Sequence, residues 1–178
     1  MAQIPHLRTQ QVRFKSKLIP YLVRITENII KEWSFSSNLF VLTAENAIYT
    51  VEIAGNIVQN TNFTSLAHFY KSEGEISFVN FENETFDTVG FNKIYNIYGG
   101  ITTYFKNSTF TNMTTLPFNP LKTIYEGDLS LLRVNQSILL NIDGITVKES
   151  NFTFSNLINL YEINITQIVS LRLETIVV

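Results

Sequence analysis

The six residues FKNSTF, Phe105 to Phe110, indicate how this chain folds. They place two phenylalanines five positions apart, with Asn107 between them. Side chains alternate between the two faces of a strand, so residues five apart on an unbroken strand point to opposite sides. A bend at Asn107 would bring both rings to the same side, because asparagine tolerates the left-handed backbone conformation unusually well. The stretch therefore predicts two short strands joined by a bend, with both phenylalanines inside.

The same spacing of apolar residues returns along the chain. It recurs at residues 35–40, 58–63, 81–86 and 147–152, each ending in phenylalanine. The closing phenylalanines are separated by 23, 23, 24 and 42 positions, and the last separation is twice 21. We predict that these aromatic residues stack in one interior column: Phe40, Phe63, Phe86, Phe110 and Phe152.

Repeats of about 23 residues, with short strands and bends, predict an all-β fold, a parallel β-helix. In this fold Asn60, Asn83 and Asn107 would align at one bend of successive coils. β-branched and aromatic residues dominate the apolar set, which favours strands. Residues 34–178 would form about six coils, stacked about 4.8 Å apart in a rod about 30 Å long.

The stretch IYNIYGGITTYFKNSTFTNM, residues 94–113, resembles coils of right-handed, pectin-lyase-like β-helix proteins. In that group, Gly-Gly-x-Ile followed by Asn-Ser-x-Phe-x-Asn is a familiar coil pattern. The stretch also resembles repetitive coils of large protist surface proteins. The resemblance extends over roughly residues 34 to 155. It implies a right-handed solenoid, and a polysaccharide as one class of ligand.

Residues 1–33 do not follow this repeat, and we place a domain boundary between residues 33 and 34. Leu18, Leu22, Ile25, Ile29 and Trp33 are spaced by 4, 3, 4 and 4 positions, which is one stripe of a helix. Because the terminal coil of a solenoid needs a cover, we predict an amphipathic capping helix over residues 20–33. The alternative is a further irregular coil. The residues before it form a basic arm.

Seven Asn-X-Ser/Thr segments are candidate N-glycosylation sites. Glycans would place the protein outside the cell or at its surface, although the first residues contain no apolar signal region. The acid-free, arginine-bearing N-terminus instead resembles a mitochondrial transit peptide, and an intracellular assembly stays the alternative. The repeat itself accounts for several of these asparagines. The seven acceptors are Asn62, Asn83, Asn107, Asn112, Asn135, Asn151 and Asn164.

Composition excludes several chemistries. The net charge of −2 argues against nucleic acid as the main partner, since phosphate binding needs a basic surface. The absence of cysteine excludes disulfides and thiol chemistry. The two histidines, His6 and His68, form no metal or nucleotide motif, so we predict neither a metal nor a cofactor. No apolar run approaches the roughly 20 residues of a transmembrane helix.

Acidic pairs are the remaining candidates for catalysis. Residues 73 and 75, and residues 82 and 84, are glutamates that could share a face as general acid and base of a polysaccharide enzyme. The simpler interpretation is a solvated outer wall. Tyr95, Tyr98, Tyr104 and Phe105 could line a sugar-binding face, but core packing also explains them. We therefore predict a non-catalytic structural or interaction solenoid, with a polysaccharide-binding or polysaccharide-cleaving protein as the alternative.

The C-terminal stretch LYEINITQIVSLRLETIVV, residues 160–178, has the composition of strands to its last residue. The outer edge of a last coil has unpaired backbone groups, and such an edge tends to recruit another strand. We therefore predict either that the chain is a segment of a longer solenoid or that its last coil contacts another protein, end to end or by docking. The residues that we expect to form this edge are Ile168, Leu171, Leu173, Ile176 and Val178.

Overall fold

The computed structural model describes most of the chain, and the described residues form strands, bends and loops without any helix. The described ranges are residues 10–15, 21–45, 49–64, 67–74, 76–98, 100–116, 130–135, 138–153, 156–161, 165–168 and 170–177.

Nineteen strands follow one another along these ranges. In chain order they are β1 (Gln10–Lys15), β2 (Tyr21–Thr26), β3 (Ile29–Lys31), β4 (Ser34–Phe35), β5 (Phe40–Glu45), β6 (Tyr49–Ala54), β7 (Ile57–Phe63), β8 (Tyr70–Gly74), β9 (Ile76–Glu82), β10 (Thr85–Phe91), β11 (Lys93–Tyr98), β12 (Gly100–Lys106), β13 (Thr109–Thr115), β14 (Ser130–Asn135), β15 (Leu139–Asp143), β16 (Ile145–Asn151), β17 (Asn156–Tyr161), β18 (Ile165–Ile168) and β19 (Leu171–Val177).

The strands form three parallel sheets that the chain visits in turn. Sheet A has the order β1-β5-β8-β11-β14-β17, and sheet B has the order β2-β6-β9-β12-β15-β18. Sheet C has the order β3-β7-β10-β13-β16-β19, with β4 also paired to β7. Every strand thus pairs with the equivalent strand one coil away, which confirms the predicted all-β parallel solenoid.

The solenoid has about four turns that are paired on both sides in all three sheets, from β5 to β16. The strands β1 to β4 and β17 to β19 add one further coil at each end. Since β1 and β2 already pair with β5 and β6, the solenoid begins before residue 34. It is this earlier start, rather than six coils after residue 34, that gives sheets A and B six strands each.

The core consists of columns of apolar side chains that run along the solenoid axis. On sheet B, one column contains Ile53, Phe81, Phe105 and Ile142, all of them buried. The ring of Tyr95 on sheet A contacts the ring of Phe81, with centroids 4.6 Å apart. Burying a phenylalanine side chain stabilises the fold by about 1.5–3 kcal/mol. The columns therefore supply the hydrophobic stabilisation that holds the three sheets together.

The predicted aromatic column is correct only in part. Phe86 and Phe110 are partners in register, and their rings stack with centroids 5.3 Å apart. Phe63 lies instead in register with Phe91, and the partner of Phe86 on β7 is Val58.

The other two members of the predicted column also lie elsewhere. Phe40 belongs to sheet A, where it pairs with Tyr70, and Phe152 follows the end of β16. The cause is unequal coil length. Equivalent positions on successive coils are 28, 28, 24, 37 and 26 residues apart, so a constant period of 23 leads to the wrong register.

A left-handed bend, which we call the first bend, separates sheet B from sheet C. It produces the geometry that FKNSTF predicts, because Phe105 and Phe110 are both buried on either side of Asn107. Asn83 and Asn107 align there, as predicted, with φ of 56° and 47°. Asparagine is not required at this position. The five positive-φ residues of the first bend are Glu27, Gly55, Asn83, Asn107 and Gly144.

A second bend lies inside sheet C, in every coil. Asn60 belongs to this second bend, so its predicted alignment with Asn83 and Asn107 is wrong. The second bend again reverses the alternation of side chains, and Phe110 and Met113 are both buried although three positions separate them. The six positive-φ residues of the second bend are Glu32, Asn60, Thr88, Asn112, Glu149 and Thr175.

The predicted capping helix over residues 20–33 is wrong. Tyr21–Thr26 is strand β2, and Ile29–Lys31 is strand β3. Tyr21, Val23 and Ile25 alternate inward against the buried Tyr49, Val51 and Ile53. Alternation with period two, supported by pairing with β6, therefore prevails over the helical stripe. Leu22 and Ile29 from that stripe are exposed, and Leu18 lies outside the described residues.

Candidate interaction site

The apolar columns of the core end in exposed side chains on the last coil. Ile168 is the partner of Ile142 on sheet B, and Leu173 is the partner of Val147 on sheet C. Ile142 and Val147 are fully buried, whereas Ile168 is 53% exposed and Leu173 is 50% exposed. On strands β18 and β19, side chains that continue the core columns are thus half exposed to solvent. We call the three strands of the last coil, β17 to β19, the open end.

The open end also presents backbone groups. Each of its three strands pairs on one side only, and among the described residues no strand pairs with the opposite side. Parallel strands in this position carry unpaired N–H and C=O groups that can accept a further strand. The open end therefore combines apolar side chains with hydrogen-bonding groups in the geometry of the next coil.

The five residues predicted to form this edge differ in their exposure. Ile168 and Leu173 are exposed, while Leu171 and Ile176 are half-buried and pack against the core. Val178 lies outside the described residues.

The outward face of β19 is charged. Arg172 pairs with Glu174, and Lys148 Nζ lies 3.3 Å from Glu174 Oε2. Strand β19 is therefore amphipathic, with leucine facing inward and ion pairs facing outward.

A buried polar ladder runs immediately after the first bend, and sequence reasoning did not predict it. Asn28 Nδ2 donates to Asn56 Oδ1 at 2.7 Å, and Asn56 Nδ2 donates to Glu84 Oε1 at 2.9 Å. The backbone N–H of Glu84 donates to Ser108 Oγ at 3.1 Å. A signal was present in the sequence, since each of these polar residues directly follows a residue of the first bend.

Glu84 is a member of this ladder, so its predicted place on a solvated outer wall is wrong. It is buried because the left-handed conformation of Asn83 reverses the alternation after Glu82. Burial raises the pKa of Glu84 to about 7, against hydrogen bonds from Asn56 and Tyr95 that lower it. Glu82 and Glu84 therefore do not share a face.

The other candidates for catalysis or ligand binding are dispersed. Glu73 is exposed and pairs with Lys71, while residue 75 lies outside the described ranges. His68 is buried, and its backbone N–H donates to Asn38 Oδ1 at 3.0 Å. In the described part of the chain, no group of three His, Asp or Glu residues can hold a metal ion.

The four aromatic residues that could line a sugar-binding face separate into two groups. Tyr95 and Phe105 are core residues. Tyr98 is exposed on sheet A. Tyr104 lies on the outer face of sheet B, where its ring contacts that of Phe78 with centroids 5.3 Å apart. Lys106 Nζ lies 4.4 Å from the centroid of the Tyr104 ring.

The candidate glycosylation sites are concentrated on one wall. Asn135 lies half-buried on sheet A, and Asn164 is outside the described residues. Five acceptor asparagines lie on sheet C or on the first bend that leads into it, and all five are exposed: Asn62, Asn83, Asn107, Asn112 and Asn151.

No family model matches the chain, and no curated protein matches it. Within the described ranges, no helix is long and apolar enough to cross a membrane.

Proposed function

We propose that this chain is a non-catalytic structural solenoid that assembles end to end with other protein through its open end. The observation that carries the proposal is the change in exposure along two core columns. Ile142 and Val147 are buried, but their partners Ile168 and Leu173 are half exposed. A partner that supplies one more coil would cover these side chains and pair the free backbone edges.

The occupant that fits this surface best is the first coil of a second copy. Ile25 on β2 begins the column that ends at Ile168, and Ile30 on β3 begins the column that ends at Leu173. Stacking one copy on the next would continue both columns with isoleucine. Such a head-to-tail contact does not close on itself and produces a filament.

Sedimentation velocity of the purified chain tests this proposal. We expect association that increases with concentration up to tens of micromolar. Ile168→Lys should abolish it, because a buried lysine at the contact would lack a partner. Tyr98→Lys is the matched control, since Tyr98 is 42% exposed on β11, which β14 separates from the open end in sheet A.

A monomer at tens of micromolar, with the amides of β19 protected from hydrogen exchange, would contradict the proposal. The edge would then be satisfied within the chain itself. Association that Ile168→Lys and Tyr98→Lys weaken equally would also contradict it, because the open end would not be the contact.

The proposed location is the cell surface or the extracellular space. The exposed asparagines of five glycosylation motifs support it. Fractionation of the source cells, with protease treatment of intact cells, tests the location. Loss of the protein on that treatment is the expected result, and retention in a mitochondrial fraction would contradict it.

A polysaccharide-binding protein is the second candidate, which the aromatic pair on sheet B favours. Phe78 and Tyr104 are half-buried on an outer face, and Asn80 and Glu82 flank them. Rings of this kind stack on sugars, and the resemblance of residues 94–113 to pectin-lyase-like coils supports the same ligand class. Binding to a polysaccharide panel that Tyr104→Ala abolishes and Tyr98→Ala retains would establish it.

The proposal of a non-catalytic role is tested on the same panel. Release of reducing or unsaturated sugar ends would contradict it, provided that Glu82→Gln or Glu84→Gln abolishes the release. We expect no release from the unmodified protein.

A further inference from the structure

Five glycosylation motifs converge on one wall of the solenoid, although they are far apart in sequence. Asn83 and Asn107 are neighbours on the first bend, and Asn112 lies on the second bend. Asn62 and Asn151 share a column two positions beyond the second bend, on β7 and β16. All five side chains are exposed.

Backbone conformation explains some of these asparagines but does not explain the motif. The first bend is formed equally well by Glu27 and Gly55. Two positions after those residues the chain has Ile29 and Ile57, so the fold does not require a hydroxyl there. In the two coils whose first bend is asparagine, the same position is occupied by threonine.

Threonine also stands in this column at Thr146, after Gly144 and outside any motif, so threonine there is not confined to the coils with asparagine. Both coils that have asparagine at the first bend nevertheless complete the motif. At the second bend the complete motif is present in one coil. Two positions beyond it, the residues in register include Asn62, Gly90 and Thr114, and only Asn112 is followed there by threonine. Asn62 and Asn151 do not have positive φ, so a left-handed bend does not account for them.

We propose that sheet C and its first bend form an N-glycosylated wall, which leaves the outer faces of sheets A and B and the open end accessible to protein partners. This inference rests on the surface location proposed above. The donor would be an oligosaccharide linked to a lipid diphosphate. A bond forms between Asn Nδ2 and C1 of the first sugar, the C1–O bond to the diphosphate breaks with its electron pair, and Nδ2 loses one proton.

The geometry of the folded wall is compatible with this modification. Asn112 Nδ2 donates to Asp87 Oδ1 at 3.1 Å, and a glycosylated amide nitrogen keeps one hydrogen for such a bond. Asn151 uses its carbonyl oxygen, which accepts from the backbone N–H of Thr153 at 2.9 Å. A glycan on the nitrogen leaves that acceptor in place.

Glycopeptide mass spectrometry of the protein purified from its source cells tests the inference. Treatment with peptide-N-glycosidase in heavy-oxygen water marks each occupied asparagine as labelled aspartate. We expect label at sheet C acceptors and none at Asn135. An intact mass equal to that of the sequence, or label confined to Asn135 or Asn164, would overturn the proposal.

Substitution of the threonines provides a second measurement. Thr85→Ile and Thr109→Ile insert the residue that the first two coils have in this column, so each should remove one glycan without disturbing the strand. Thr146→Ile lies in the same column outside any glycosylation motif, and it should leave the mass of the glycans unchanged. Equal glycan content in all three variants would contradict the assignment.

These outcomes are separate from those that test end-to-end assembly. An unglycosylated chain that is found on the cell surface and associates through Ile168 would overturn the glycan wall alone. A glycosylated monomer would overturn the assembly alone.

Discussion

Asn56 donates a hydrogen bond from Nδ2 to Glu84 Oε1 over 2.9 Å, and both side chains are buried inside the solenoid. The two residues are equivalent positions on adjacent coils, 28 residues apart. The hydroxyl of Tyr95 donates to the other carboxylate oxygen over 3.5 Å. The carboxylate of Glu84 is thus shielded from water, and its protonation is linked to the stability of the folded coils around it.

We predict that the free energy of unfolding falls as the pH rises from about 4.5 to about 7. Burial raises the pKa of Glu84 from 4.5 to about 7, so the folded state binds more protons than the unfolded chain in this window. Protonation of Glu84 contributes about 3 kcal/mol to the free energy of unfolding. This contribution is fully present below pH 4.5 and is lost above pH 7. Urea denaturation at a series of pH values measures it.

Glu84→Gln is the test of that assignment, because the amide cannot ionise and retains an oxygen to accept from Asn56. The variant should lose most of the pH dependence in this window. Glu82→Gln removes a carboxylate two positions away on the outer face and should retain it. An unchanged slope in Glu84→Gln would mean that another group is responsible.

Phe86→Ala should lower the free energy of unfolding by about 3–5 kcal/mol. The ring of Phe86 is buried, and it contacts Phe69, Tyr95 and Phe110 with centroids 5.2, 5.8 and 5.3 Å apart. Its removal would leave a cavity between two coils. Phe78→Ala removes a ring of the same size from the outer face of sheet B and should cost much less. Similar thermal midpoints for the two variants would mean that Phe86 is not a core residue.

Thr88→Asn should stabilise the protein by about 1 kcal/mol. Thr88 has φ of 56° on the second bend, and a β-branched residue is poorly suited to that conformation. Its register neighbours in the adjacent coils, Asn60 and Asn112, already have asparagine there.

The matched control for that change is Thr111→Asn on β13, a position without positive φ and outside any glycosylation motif. It should be neutral or slightly destabilising, since asparagine is unfavourable in strands. Chemical denaturation compares the two. Stabilisation by both substitutions would show that the backbone conformation is not the cause.

Local features of this fold could be predicted from the sequence because they depend only on which face of a strand each side chain occupies. Phe105 and Phe110 can face the same interior only if the chain bends between them. Asn107 has the residue type and the position that such a bend requires. The structure shows this geometry, and it repeats with Phe81, Asn83 and Phe86. The parallel solenoid followed from the same local argument.

The register between coils could not be predicted, because it depends on the lengths of loops that carry no periodic signal. Phe63 is 23 residues before Phe86, but the coil at that point is 28 residues long, so Phe63 meets Phe91. Asn60 and Asn83 are likewise both asparagine, but Asn60 lies on the second bend and Asn83 lies on the first bend. The sequence also predicts an outer position for Glu84, because regular alternation from Glu82 does not include the reversal at the left-handed residue Asn83.

The last prediction concerns Ile142 and Ile168, which are equivalent residues on adjacent coils with opposite exposure. Ile142→Ala should cost about 2–5 kcal/mol at every protein concentration, because Ile142 is buried within each chain. Ile168→Ala should cost only about 1 kcal/mol in dilute protein, since Ile168 is 53% exposed there. If the open end binds another copy, Ile168 becomes buried in the assembly, and mass action raises the melting temperature with protein concentration. The cost of Ile168→Ala should then rise toward that of Ile142→Ala as concentration increases, which calorimetry over a dilution series measures. Melting temperatures that do not depend on concentration, in the parent protein and in both variants, would mean that the open end stays uncovered.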